Sequence, residues 1–221
     1  MGKMENEQGS CNSHTRCLSV FEDELSPLDD SYRRFVAESF EMICRPWFWY
    51  VPAAMGGKNH PWACRSVGGL VKHTKLAVWW AHRLFQLRGD VLGEQQQEVI
   101  AAVLLHDICK FEKPAGVEGA NTDGRAVNCH GHWAAWAMWE AWAGVIPLIG
   151  RKSFGRISDA VAWHMGQWSE GAPVNCSQWD EFGKVVYEVV SMADYLAASK
   201  VGEKIKELAA LNVAQLEGGE A

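Results

Sequence analysis

The chain has 221 residues, of which 48% are hydrophobic and 22% charged, and a formal net charge of −6. That size and composition fit one soluble globular domain with a sizeable core. The acidic balance excludes a broad electrostatic grip on nucleic acid, which needs a basic face.

No apolar run approaches the roughly 18 residues needed to span a membrane, and Met1 to Ser13 lacks the apolar stretch of a signal peptide. The seven cysteines are an odd number with no CxxC pair, so reduced thiols in a cytoplasmic protein are expected. Residues 1–25 read as a lead, the polar 1–17 disordered. Ser26-Pro27 then reads as an N-cap with proline in the first turn. The helix it opens is expected to reach Cys44, before Pro46, with Phe35, Phe40 and Ile43 on its apolar face. Trp47 to Val51 is an aromatic cluster, and Gly56 to Asn59 a turn that leads to His60 and Pro61.

Gly68-Gly69 precedes a second long helix, from Leu70 to about Leu87. Leu70, His73, Ala77, Trp80 and Leu84 recur on one face at helical spacing, so His73 projects into an apolar stripe. Taken alone, it reads as a hydrogen-bonded core histidine. Next, the polar turn Glu94 to Glu98 leads into Val99–Leu105, an unbroken apolar run of seven residues. A helix apolar on all sides is a buried central helix. This one is expected to end at Lys110 and carries His106-Asp107 near its end. Charged residues are rarely buried without a partner. Either a buried His–Asp hydrogen bond or a metal ion, which takes imidazole and carboxylate together, accounts for the pair.

Residues 111–128 form a long loop rich in Gly, Asn and Asp, of a length that is often functional. Cys129-His130-Gly131-His132 leads a helix carrying Trp133, Trp136, Trp139 and Trp142. Another helix runs from about Ser153 to His164, followed by a loop containing Gln167-Trp168. The last long helix is expected over Asp180 to Lys200, with Val186, Val189, Val190, Ala193, Leu196 and Ala197 buried and Asp194 on the flank. Residues 202–211 suit a short amphipathic helix, and 212–221 a mobile tail. The whole reads as a single all-α domain over 26–211, without internal repeat.

His73, His106-Asp107, His130 or His132, His164 and Asp194 therefore sit on or beside five helical segments, most of them against an apolar face. Core packing accounts for one such residue more readily than for all of them. Histidines and carboxylates without thiolates suit Mn, Fe, Ni or Mg, with Zn possible.

The order of these motifs resembles the HD-domain metal-dependent phosphohydrolase superfamily, whose pattern is H…HD…D. It matches here as His73, His106-Asp107 and Asp194. Pro52-Ala53-Ala54, Asn59-His60 and Gly68 to Thr74 resemble the lead-in of HD-domain 3′–5′ exoribonucleases and of the HD domains in conjugative relaxases. Leu104 to Lys110 resembles their LLHDIGK, with Cys109 in place of the glycine. Ala193-Asp194-Tyr195-Leu196-Ala197 resembles the ending of many phage and bacterial HD proteins. The resemblance spans about residues 46–200; the exoribonucleases' separate nucleic-acid-binding domain has no counterpart.

The resemblance implies an HD-type helical bundle with one or two divalent ions at its centre. His73, His106, Asp107 and Asp194 would hold the first ion, and His132 and His164 the second, with Asp107 bridging. His132 is preferred to His130 because it fits the family's Gly-His-apolar pattern; His130 would then bind substrate or support a ligand. Asp107 and Lys110 are the expected catalytic residues, with Lys110 also reaching a substrate phosphate. Trp168 is a candidate to stack on a base, although simple loop packing is the preferred reading of it. The expected reaction is hydrolysis of a phosphate ester in a nucleotide or short oligonucleotide, with no membrane partner. Two other functions fit the same ligands: a di-iron oxygenase of HD fold, and a nucleotide-binding module without turnover.

Overall fold

A computed structural model of the chain describes residues 18–44, 46–54, 60–111, 129–166 and 176–199. Among them are eight helices and no strand: α1 (Glu22–Leu25), α2 (Asp30–Ile43), α3 (Gly69–Arg88), α4 (Gly93–Leu105), α5 (His130–Glu140), α6 (Trp142–Ile149), α7 (Arg151–Trp163) and α8 (Glu181–Ala198). No described helix is long and apolar enough to cross a membrane.

The apolar run Val99–Leu105 makes α4 the central helix. Every residue of that run is buried, and α2, α3, α7 and α8 pack around it. The polar start of α4 is fixed by Gln95, whose Oε1 accepts from the Leu92 N–H at 2.7 Å. Burial of this apolar run on every face drives it to the middle of the bundle, which places its C-terminal end deep inside.

The chain folds earlier than the expected lead. Phe21 is fully buried and its ring lies 5.8 Å from Phe40 and 5.9 Å from Trp49. That anchor draws residues 22–25 into α1, and Ser26 closes this short helix instead of opening the next one. Its hydroxyl donates to the Asp23 carbonyl at 3.0 Å. The long helix α2 starts three residues later than the Ser-Pro signal predicts, with Tyr32, Phe35, Val36, Ser39, Phe40 and Ile43 as its buried stripe. The expected helix over 202–211, the tail and residues 1–17 lie outside the described residues.

Two other boundaries differ from expectation. The tryptophan-rich helix breaks at Ala141 into α5 and α6. The central helix stops at Leu105, not Lys110, and residues 106–111 form turns. The cause is local: the His106 ring takes up the Val103 carbonyl with its Nδ1 at 2.6 Å, satisfying one of the acceptors a helix end leaves open.

Candidate metal centre

Five helical segments deliver side chains to one point beside the end of α4. His73 comes from the first third of α3, His106 and Asp107 from the turn after α4, and His130 from the start of α5. His164 follows α7 directly, and Asp194 lies on α8. All except Asp194 are almost completely buried; Asp194 keeps 18% of its side-chain exposure, so solvent reaches the cluster from its side.

His73 Nε2 lies 3.0 Å from Asp194 Oδ1, 3.3 Å from His106 Nε2 and 3.5 Å from Asp107 Oδ2. On the other side, Asp107 Oδ1 is 2.8 Å from His130 Nε2 and 3.6 Å from His164 Nε2. Asp107 thus stands between two groups, one oxygen toward each. His130 Nε2 and His164 Nε2 are 3.1 Å apart.

The protonation pattern follows from the second nitrogens. His106 Nδ1 meets the Val103 carbonyl, and His164 Nδ1 meets the Val161 carbonyl at 2.7 Å. A carbonyl only accepts, so both Nδ1 atoms carry hydrogen. In the neutral rings this leaves the Nε2 lone pairs facing inward. Those of His106 point at carboxylate oxygens, 3.4 Å from Asp107 and 3.5 Å from Asp194. Acceptors facing acceptors in a buried space require a cation or a proton between them. Asp107 Oδ1 makes no hydrogen bond of good geometry despite the close His130 nitrogen. Two sets of donor atoms, His73–His106–Asp194 and His106–Asp107–His164, each lie within 4.8 Å of one another, as an ion would need.

Electrostatics agree with this arrangement. Burial opposes ionisation of Asp107, but Lys110 and His106 outweigh it and hold its pKa well below the ordinary carboxylate value. Asp194 is likewise held down, against burial, by His106 and His73. Burial lowers the pKa values of His73 and His130. For His106 burial acts in the same direction, yet the two carboxylates prevail and raise it to about 10. Lys110 Nζ donates to Asp107 Oδ2 at 2.6 Å, and its side chain is nearly buried. Lys110 reaches Asp107, three residues back, because the chain turns after Leu105.

Gly131 explains how α5 comes so close. A Cβ at this position would stand 2.5 Å from the Val161 carbonyl oxygen, 2.7 Å from that of Ala162 and 2.9 Å from His164 Nδ1. Only glycine allows α5 to press on the end of α7 and bring His130 beside His164.

Of the residues singled out from the sequence, the structure brings His73, His106, Asp107, Lys110, His164 and Asp194 close together. It corrects the choice between the neighbouring histidines. His130 faces Asp107, whereas His132 turns to the Trp163 ring, 4.4 Å away, and is only half-buried. The two residues differ by about 200° around the helix, so they cannot share a face. Trp168 and residues 112–128 lie outside the described residues. Sequence reasoning missed His60, whose ring packs 5.0 Å from that of His73. Burial, then the neighbouring His73 and Lys110, lower its pKa to about 3. A lone histidine after a turn carries no helical periodicity, so its only sequence signal is its place beside Asn59 in the HD-like lead-in.

Comparison with protein-family models, with curated proteins and with solved structures gives no match.

Proposed function

We propose that the chain is an HD-type metal-dependent phosphohydrolase acting on a phosphate ester of a nucleotide or short oligonucleotide. One observation carries this reading: Asp107 presents one oxygen to His73 and His106 and the other to His130 and His164, with Asp194 closing the first group. The motif order H…HD…D, read from the sequence, supports it independently.

In this reading His73, His106 and Asp194 would hold one divalent ion, His130 and His164 would hold a second, and Asp107 would contribute to both. Ions held there would polarise the ester and supply a nucleophile at neutral pH. The protein's own part is to hold its donors on rigid helices and to keep the two carboxylates ionised despite burial. The Lys110 ammonium, which donates to Asp107, would meet an oxygen of an arriving phosphate. The net charge of −6 favours a small substrate over a long polymer. A cytoplasmic location belongs to the same reading and rests on the cysteine pattern.

The test is elemental analysis of protein purified without chelator, followed by a screen of nucleotides and short oligonucleotides with the ion found. About two ions per chain, and phosphate-ester turnover lost in Asp107→Ala, are expected. An Asp107→Ala protein that stays active and metal-replete would sink the assignment. Iron with oxygen consumption instead of ester hydrolysis would replace the hydrolase by an oxygenase, and ligand binding without turnover by a binding module.

A further inference from the structure

The histidines of the cluster are not supported alike. Ligand histidines characteristically donate their second ring nitrogen to a carbonyl, a carboxylate or a water, which fixes the tautomer and the ring plane. His106 and His164 do so through the Val103 and Val161 carbonyls. His73 does not: its Nδ1 is closed off from solvent and has no hydrogen-bond partner among the described residues.

The ring packed on His73 has the matching deficit. His60 stands edge-on to it, with centroids 5.0 Å apart and planes at 68°. Both His60 nitrogens are closed off from solvent and have no hydrogen-bond partner among the described residues. Three imidazole nitrogens without partners thus lie in one buried spot. Leaving such groups unsatisfied is costly, and natural interiors satisfy them with protein or with ordered water. Since the two rings make no direct hydrogen bond, one buried water between His73 Nδ1 and one His60 nitrogen would satisfy two of the three.

We infer that His60 is a positioning residue, holding the His73 ring through edge-on packing and a shared buried water so that His73 Nε2 stays on Asp194. This rests on the reading of the cluster as a metal centre. The closure of both nitrogens from solvent separates this role from direct contact with substrate.

The segment carrying His60 is anchored for such a task. Arg65 Nε donates to the His60 carbonyl at 2.7 Å, and the Cys64 N–H donates to the Pro61 carbonyl at 2.9 Å. The same short turn is pressed against the start of α3 at Gly69, where a Cβ would come 2.1 Å from the Cys64 carbonyl oxygen. His60 and His73 are therefore tied to each other through backbone as well as through their rings.

The experiment compares the full chain with His60→Phe, which fills the space but removes both nitrogens, and His60→Gln, which restores a donor and an acceptor. Titration of metal-free protein with Mn or Zn should show one of two ions binding about 10–100-fold more weakly in His60→Phe. The other ion should bind as in the unaltered chain, and His60→Gln should recover most of the loss. Equal affinities for both ions in His60→Phe would overturn the inference. A second measurement needs no metal. Nitrogen NMR of the rings should show a single His73 tautomer, hydrogen on Nε2 toward Asp194 and Nδ1 a hydrogen-bonded acceptor, in the unaltered chain and in His60→Gln. In His60→Phe the Nδ1 resonance should move to that of an acceptor without a hydrogen bond, while the His106 and His164 signals persist. If the unaltered chain binds no ion, the metal reading fails, and the NMR comparison alone decides the role of His60: an unchanged His73 signal in His60→Phe would overturn it.

Discussion

His130 and Asp107 meet at 2.8 Å, Nε2 to Oδ1, while His132, two residues further along the same helix, packs on Trp163. The pair divides the neighbouring histidines into one that faces the proposed metal site and one that does not. His130→Ala should lower the ion content from about two per chain toward one, and His132→Ala should leave it unchanged. Elemental analysis of both variants checks this, and the opposite pattern would restore His132 as the ligand.

Gly131 sets the distance between α5 and α7. Gly131→Ala would force a Cβ against two backbone carbonyl oxygens, which cannot swing aside as side chains do. The expected cost is about 3 kcal/mol, at the upper end of overpacking, read as a lower denaturation midpoint. The same variant should lose the ion held by His130 and His164 in preference to the other. Wild-type stability and ion content would show that the helices can part without consequence.

The proton on His106 links pH, stability and ion binding. Its pKa rises from 6.5 to about 10 because the Asp107 and Asp194 carboxylates outweigh burial. A histidine whose folded pKa is raised stabilises the fold fully below its unfolded value. That contribution is lost as pH climbs through the folded one. Metal-free protein should therefore melt at progressively lower temperature between about pH 6.5 and 10. An ion must displace the same proton, so its affinity should rise roughly tenfold per pH unit in this range. Calorimetry at pH 8 in buffers of different ionisation enthalpy should report about one proton released per ion taken up at His106. No release would mean that His106 is neutral before the ion arrives.

Glu98 and Arg156 join the central helix to α7. Arg156 donates to both oxygens of the fully buried carboxylate, at 2.9 and 2.7 Å, and its guanidinium lies 4.0 Å above the Phe182 ring centroid. Arg156→Met leaves that carboxylate without its cation and should cost roughly 3–5 kcal/mol. Adding Glu98→Gln should restore much of the loss, since a neutral amide is far cheaper to bury. Urea denaturation of the single and double variants measures this. Additive losses would mean that the two side chains act independently.

The sequence announces the helical elements of this site well and their geometry poorly. Val99–Leu105 is apolar on every face, and this alone identifies the central helix and places His106-Asp107 at a buried end. His73 and Asp194 are legible because periodicity puts each against an apolar stripe. Periodicity could not choose between His130 and His132, because α5 carries apolar residues nearly all round and the choice depends on the contact that Gly131 permits. Ser26-Pro27 misled because a capping signal is local, whereas burial of Phe21 is a tertiary effect. His60 was hidden for a related reason: it lies on a short turn, where side-chain direction has no period to read.

His106 and His164 each sit at the frayed position just past a helix and each cap the carbonyl three residues back. The terminal turn of a helix is ordinarily its first part to open, on a timescale that amide exchange can follow. At the ends of α4 and α7 that opening would have to break the bond that a proposed ligand makes to the backbone. Occupation of the centre should thus be felt as slowed exchange at the ends of two helices far apart in sequence, making their ends a remote gauge of what the middle holds.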